Sequence, residues 1–523
     1  MQCAPTESIT NPVFYLTTAI DYVNSLPHIG TAYEKIGADI LARFHRLRGE
    51  PVLFQMGNDE HSANVQKAAL QANLEPKVYC DQMREKFHAI WSKLGISYDQ
   101  FIQTSDPRHH KVVHEFFERV QQAGDIYEKD YEGWYCESCE AFYTEKDLEN
   151  GLCQNHKTKP KWLKEKNYFF RLEKYTQALL NHIEKNPSFI LPEKRRNEVV
   201  NFIKNGLQDF SISRSTFTWG IPVPVNPKHV FYVWFDALIN YLSLLNLKSL
   251  DELEKNSAWN QVMHIVGKDI TRFHCMIWPA MLLSAKLPLP KTVFGHGFVY
   301  LRGEKMSKSL GNVVTPLDVA DHYGADALRY YLMRSNSFGD DGNFTWDDFI
   351  LRYNGDLANG LGNLVSRTIG MIDRYFGGKL PALKLSGADA ALAGKFSECL
   401  EKMTRFLDPI QSGDLYFNRA LDTVWEWIGE LDRYIDHEAP WTLAKEQKTQ
   451  RLSEVLVTVV RSLASLTLLL KPFIPDTSSK MWKALGLASW MDWDKTNFQS
   501  ILPEIMEFQV FKGEGLFPRI EKK

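Results

Sequence analysis

Between residues 13 and 56 the chain runs through a β-branched, aromatic stretch, a helical stretch and a second apolar stretch, and this order limits its fold more than any other feature. "VFYLTTAI" (13–20) reads as a strand. After the turn "DYVNSLPHIG", apolar side chains recur at Tyr33, Ile36, Ile40, Phe44 and Leu47, the spacing of one helix face. "GEP" stops that helix and "VLFQMG" follows as a buried strand. A strand, helix, strand unit of this kind implies a parallel α/β sheet. "VMHIVG" (262–267) and "KTVFGHGFV" (291–299) resume the same strand signal, so the stretch from 121 to 228, rich in cysteine and aromatic residues, reads as an insertion. From about 355 the pattern changes to long amphipathic helices, in "LGNLVSRTIGMIDRYF", "FNRALDTVWEWIGELDRYIDHEAPW" and 452–485, which predict a helical bundle.

A chain of 523 residues is long enough for about three or four domains. Its net charge of −3 excludes a wholly basic nucleic-acid binder, so any such partner must be met by a local patch. The opening "MQCAPTESITNP" lacks the charged-then-apolar pattern of an export signal. The best membrane candidate, 456–473, is interrupted by Arg461 and falls short of the ~20 apolar residues of a span, so a core helix and no membrane partner are expected. Seven cysteines without an export signal point to a reducing compartment, here taken as the cytoplasm.

Three short motifs carry chemistry. "SLPHIGTAY" places His28 and Gly30 where the first strand gives way to a helix, a position where backbone N–H groups and the helix dipole favour a phosphate. A helix-capping turn with a surface histidine would use the same residues. "GEKMSKSLGN" (303–312) sets Lys305 and Lys308 among Ser307 and Ser309 around Met306, with no periodicity of helix or strand, as expected of a mobile cationic loop that meets an anion. "WYCESCEAF" and "GLCQNH" supply Cys136, Cys139, Cys153 and His156 as a Cys-x2-Cys, Cys-x2-His set, the ligand pattern of one closed, tetrahedral structural zinc ion.

"PHIG" followed far downstream by "KMSKS" resembles the paired signatures of the class I aminoacyl-tRNA synthetases, and the pocket segments are similar to those of the methionyl branch. The resemblance covers nearly all the chain after the first dozen residues. It implies a Rossmann-type nucleotide-binding sheet (1–120 and 229–300) split by a zinc-bearing connective insertion (121–228). The lysine loop with linking helices (301–354), an α-helical anticodon-binding bundle (355–510) and a tail (511–523) would follow. It also implies that His28, Gly30, Thr31, Lys305 and Lys308 serve adenylate formation. ATP would be bound by His28, Gly30, Gly267, Asp269 and the loop residues 305–309. The methionine slot would be lined by Ile20, Tyr22, Trp234, Ala237, Leu238, Tyr241, Ile270, His274 and Trp278, with Asp59 on the ammonium and Arg214 nearby. Anticodon bases would be read by Asn363, Arg367 and Trp441, although without the resemblance Trp441 beside its proline reads as a buried core residue.

The expected partners are therefore L-methionine, ATP with Mg2+, and tRNA(Met), and the expected cofactor is one Zn2+. A flexible thioether suits an aromatic slot because sulfur is polarizable. A pocket alone discriminates by only ~1–3 kcal/mol between side chains that differ by a methylene, and the insertion leaves no room for a large editing domain. A monomer is expected because no further C-terminal domain follows. Two departures from the family pattern stand out: Thr31 replaces the second histidine of His-x-Gly-His, and Ser62 replaces the glycine after "DEH". A non-catalytic tRNA-binding paralogue and another adenylate-forming nucleotidyltransferase are the alternative readings.

Overall fold

Along the chain come β1 (Phe14–Thr18), β2 (Asp21–Tyr22), α1 (Ile29–Leu47) and β3 (Val52–Asp59), so the unit read from apolar spacing is present. They are followed by β4 (Gln100–Gln103), α2 (Pro107–Gln122), β5 (Ile190–Leu191), α3 (Val233–Ser243), β6 (Met263–Gly267) and β7 (Thr292–His296). The structure is a computed structural model and describes residues 12–136, 141–143, 145, 148–153, 157–215, 218–305 and 313–521. By its contacts the chain forms two compact units, one drawn from the chain up to 27, from 51–91 and from 98–295, the other from 28–50, 92–97 and 296–523.

The first unit is built on a seven-stranded sheet of order β5-β7-β6-β1-β3-β2, with β4 also paired to β3. β1 runs parallel to both β6 and β3, and β3 runs parallel to β4 and β2. The strand order therefore reverses at β1, and in open α/β sheets the crevice beyond the carboxyl ends at such a reversal is where ligands bind. One hydrophobic core, rich in aromatics, packs α2 and α3 beside the sheet: Phe116 stacks on Trp278 at 5.8 Å and Phe117 meets Phe231 edge-on at 5.1 Å. Within 121–228 the chain forms a long antiparallel hairpin, Ile126–Cys136 with Lys161–Phe170, widened by Phe210–Ser211 on one side and Ala141–Tyr143 on the other, but Ile190–Leu191 of the same stretch is β5 of the parallel sheet.

The second unit holds α1. Its apolar residues recur at helical spacing as expected, yet Glu34, Lys35 and Asp39 are buried as well. Pairing makes that tolerable. Asp39 meets the fully buried Arg329 at 2.7 Å, and Arg329 also donates to the carbonyls of Leu94, Pro472 and Phe473.

The helical third comprises a π-helical stretch, Tyr353–Gly362, then α4 (Asn363–Phe376), α5 (Phe396–Leu407), α6 (Phe417–Glu438), α7 (Pro440–Lys445), α8 (Thr449–Leu470) and α9 (Pro475–Ala484). Two stretches that read as single helices are broken at prolines. Ala439 takes φ 44° between α6 and Pro440, and α8 stops before Pro472 and Pro475, because proline lacks the N–H and crowds the preceding turn. α8 is long and apolar enough to cross a membrane by length and composition, but 83% of its apolar window is buried inside the fold, as a core helix requires. Near the C-terminus Phe508–Gln509 pairs with Lys379–Leu380, and Asn354 exchanges two hydrogen bonds of 2.9 Å with the backbone of Ile520.

Candidate active site

In the second unit, His28 is the N-cap of α1. Its Nδ1 accepts the backbone N–H of Thr31 at 3.2 Å, so the neutral ring carries its proton on Nε2. The helix-capping turn is thus present, and it orients the imidazole with its donor nitrogen away from the helix. Thr31 lies in the first turn, half-buried, where its hydroxyl adds a neutral donor at most.

The lysine segment begins as a hairpin. Val299–Leu301 pairs with Glu304–Lys305 across Arg302 and Gly303, both at positive φ, as a tight two-residue turn demands. Lys305, expected in irregular loop, therefore ends a strand, because the turn and the Gly303 N–H to Asn343 Oδ1 bond of 2.8 Å hold the backbone extended. Met306, Ser307, Lys308 and Ser309 lie outside the described residues. The strand that feeds this hairpin passes Gly297, where a Cβ would sit 2.0 Å from the carbonyl oxygen of Asp340; only glycine fits.

The first unit gathers the residues expected to line the methionine slot. On α3, Trp234 stacks on Phe273 with ring centroids 3.8 Å apart and planes 9° off parallel. Tyr241, one helical face further on, donates its hydroxyl to His274 Nε2 at 2.7 Å, while His274 Nδ1 donates to the Ile270 carbonyl at 3.0 Å. Trp278 closes the group, 6.3 Å from the Tyr241 ring. Ala237, Leu238, Tyr241, His274 and Trp278 are all buried, and Trp234 and Ile270 are half-buried.

At the edge of the sheet Tyr22 and Asp59 are register partners on β2 and β3, and Ile20 comes so close to Gly57 that a Cβ there would lie 2.8 Å from its methyl. Arg214 is buried against the ring faces of Tyr232 (4.1 Å) and Tyr135 (5.7 Å), and donates to Ser211 Oγ and Ser213 O. Gly267 is buried at the end of β6, and Asp269 is exposed just beyond it. Ser62, the unexpected residue after "DEH", caps the helix Ala63–Gln71 by accepting from Val65 N at 3.1 Å, a role glycine fills without the side-chain bond.

Three residues that sequence reasoning missed pack among these side chains. Phe273 is the partner of Trp234. Tyr15 lies within hydrogen-bonding distance of both Gln55 Oε1 and the Tyr241 carbonyl. His264 packs 4.2 Å from Tyr241 and shares a 2.7 Å bond with Thr17. Burial, with His274 nearby, holds the His264 ring well below the usual imidazole range, so it is neutral. For Tyr15 and His264 the available signal was their place on β1 and β6, strands buried along almost their whole length.

Of the four expected metal ligands, Cys136 and Cys153 are described and buried; Cys139 and His156 lie outside the described residues. Both thiol-bearing residues reach Thr158: Cys136 Sγ lies 3.6 Å from its hydroxyl, and Cys153 N–H donates to its carbonyl at 2.9 Å. Lys157, at φ 52°, donates its N–H to the Cys153 carbonyl. Among the described residues no group of three ligating side chains is assembled. In the bundle, Asn363 and Arg367 stand one turn apart on α4, and Arg367 Nη2 lies 3.3 Å from Asp436 and 3.6 Å from Asp432. Trp441 is 47% exposed on α7, which removes the buried-core reading of that residue.

Two family profiles match. "tRNA synthetases class I (M)" covers residues 14–153 and 143–369, and "Anticodon binding domain of methionyl tRNA ligase" covers 382–523. The chain belongs to the class I methionyl-tRNA synthetase family. Among family members, the methionine–tRNA ligase of Caldanaerobacter subterraneus subsp. tengcongensis is 44% identical over 97% of this chain and 79% of its own length. That of Thermotoga maritima is 42% identical over 98% and 81%. The solved Mycobacterium tuberculosis methionyl-tRNA synthetase in complex with methionyl-adenylate superposes with a TM-score of 0.90 at 38% identity, covering 97% of this chain and all of that one. The Rossmann-like parallel sheet and the helical C-terminal anticodon-binding domain are thus family features.

Proposed function

We infer that this chain is a methionine–tRNA ligase: it activates L-methionine with ATP and transfers it to the 3′-terminal adenosine of tRNA(Met). The observation that carries the reading is the succession of a methionyl synthetase profile and a methionyl anticodon profile along one chain. The methionine carboxylate attacks the α-phosphate, pyrophosphate leaves, and a ribose hydroxyl of the tRNA end then displaces AMP. Mg2+ enters with ATP.

The residue roles follow from chemistry. His28, with its proton on Nε2, donates to a phosphoryl oxygen as charge develops, and Lys305 and Lys308 neutralise the leaving pyrophosphate. Gly30 lets the backbone approach the phosphates; Gly267 and Asp269 take the ribose. Asp59 holds the substrate ammonium, and the Trp234, Tyr241, His274 and Trp278 group takes the thioether. The Tyr241 hydroxyl proton is committed to His274, which leaves the slot walls polarizable and weakly polar, suited to sulfur. Arg214 completes the polar rim, Asn363 and Arg367 read base edges, and Trp441 stacks on an unstacked base.

Cys136, Cys139, Cys153 and His156 would hold one structural Zn2+, which supplies folding energy to the insertion. The two described cysteines fit: both are buried, Cys136 Sγ lies 3.6 Å from the Thr158 hydroxyl, and the Cys153 backbone N–H donates to the Thr158 carbonyl. A cytoplasmic location accords with these roles.

ATP–pyrophosphate exchange with each of the twenty amino acids tests the reading. Exchange with methionine alone is expected. Exchange with none would favour a tRNA-binding paralogue, and exchange with another acid a different adenylate-forming enzyme.

A further inference from the structure

The first unit contains a buried polar chain that none of the roles above uses. Ser243, at the end of α3, lies with its hydroxyl 2.7 Å from His109 Nδ1 and 3.3 Å from the Ile239 carbonyl; because the Asp236 carboxylate at His109 Nε2 can only accept, Nδ1 of the neutral ring is the acceptor and the hydroxyl its donor. His109, on α2, then carries its proton on Nε2, which faces Asp236 Oδ1 at 3.4 Å. The other oxygen, Oδ2, accepts from His61 Nδ1 at 2.7 Å. His61, His109 and Asp236 are 0–1% exposed. The residue types are those of a hydrolytic triad, but with the whole set enclosed no substrate can reach the serine, so its work is structural coupling.

Burial alone would push the Asp236 carboxyl up, but His61 and His109 outweigh it and hold the group below the usual carboxylate range, hence ionised. The remaining neighbours are accounted for. His110 packs 5.5 Å from His61 and is pushed down to about 4 by burial and by the two adjacent imidazoles, so it stays neutral. Trp219 meets the His61 ring edge-on at 5.4 Å and donates to the Glu60 carbonyl at 2.5 Å.

The position of the chain is what gives it a consequence. His61 ends "NDEH", two residues after Asp59. Glu60 is pinned from its other side: its N–H donates to Thr104 Oγ1 (2.9 Å), and its carboxylate accepts from Gln103 Nε2 (2.7 Å) and Ser105 N (3.3 Å). Asp236 sits on α3 between Trp234 and Ala237, in the helix that also carries Leu238 and Tyr241. One buried hydrogen bond therefore joins the turn that bears the ammonium-binding carboxylate to the helix that bears the side-chain slot.

We propose that His61 and Asp236 are positioning residues for the amino-acid substrate, setting the distance between the Asp59 carboxylate and the slot on α3. The proposal rests on the function inferred above. Neither residue touches substrate; each acts by keeping two halves of one pocket in register, and small misplacements of binding groups are costly.

The test is pyrophosphate exchange at varied methionine and varied ATP on wild type, His61→Leu, His61→Asn and Asp236→Asn. His61→Leu and Asp236→Asn raise KM for methionine about tenfold or more and leave KM for ATP within about twofold. His61→Asn, whose amide N–H stands where Nδ1–H was, restores KM for methionine to within about threefold of wild type. A purely structural role would move both KM values together, and that result overturns the proposal. So does an unchanged KM for methionine in His61→Leu. If Asp236→Asn fails to fold, the His61 pair decides the matter alone. Wild type inactive with methionine would instead sink the function, and this proposal with it.

Discussion

His28 caps α1, and the proposed function gives it a second task that substitution can separate from the first. As N-cap its Nδ1 satisfies the Thr31 N–H; as the proposed phosphate ligand it would offer Nε2–H. Asparagine is among the best N-caps and places a side-chain oxygen where Nδ1 stands, but its short side chain cannot put a donor at the Nε2 position. Alanine loses both functions. Loss of one donor to a developing oxyanion costs about 10²–10³ in rate, or roughly 2.7–4 kcal/mol, whereas loss of a cap costs about 1 kcal/mol of stability. His28→Asn is therefore expected to lower pyrophosphate exchange about 10²-fold while melting within roughly 1 °C of wild type. His28→Ala is expected to lose the same activity and, in addition, roughly 2–4 °C in the transition that contains α1. Steady-state exchange and scanning calorimetry on the three proteins decide it. Exchange by His28→Asn near the wild-type rate refutes the donor role; equal melting of the two variants refutes the capping role.

Gly297→Ala places a methyl 2.0 Å from the Asp340 carbonyl oxygen, a backbone atom that cannot yield, and is expected to destabilise the second unit by about 1–3 kcal/mol, read as a lowered calorimetric transition. Trp441→Ala removes a half-exposed stacking surface worth about 1–3 kcal/mol per base, so KM for tRNA should rise about 10-fold or more while methionine-dependent pyrophosphate exchange is unchanged; an equal loss in both assays would argue against anticodon contact. Metal analysis of the purified protein should give one zinc per chain, and Cys153→Ser should lose it together with protection of the insertion from proteolysis, whereas full metal content in that variant would exclude Cys153 as a ligand.

What the sequence determined by itself was local: strand, helix, strand order, the cysteine spacing, the capping turn at His28 and the helical character after 355, all set by residue periodicity or by near neighbours in the chain. Proline breaks at 440 and 472 were local too, yet a coarse periodicity count ran through them, because apolar spacing continues across a kink that the backbone cannot follow. Tertiary structure alone decided which buried polar groups meet. Tyr241 finds His274, Asp236 finds His61, and Arg329 finds Asp39 across long stretches of chain, and nothing in the spacing of these residues announces the pairing. A charged or hydroxyl side chain looks alike in sequence whether it faces water or a partner. Only folding fixes which, since the cost of burying it is met solely when a complementary group arrives at hydrogen-bonding distance.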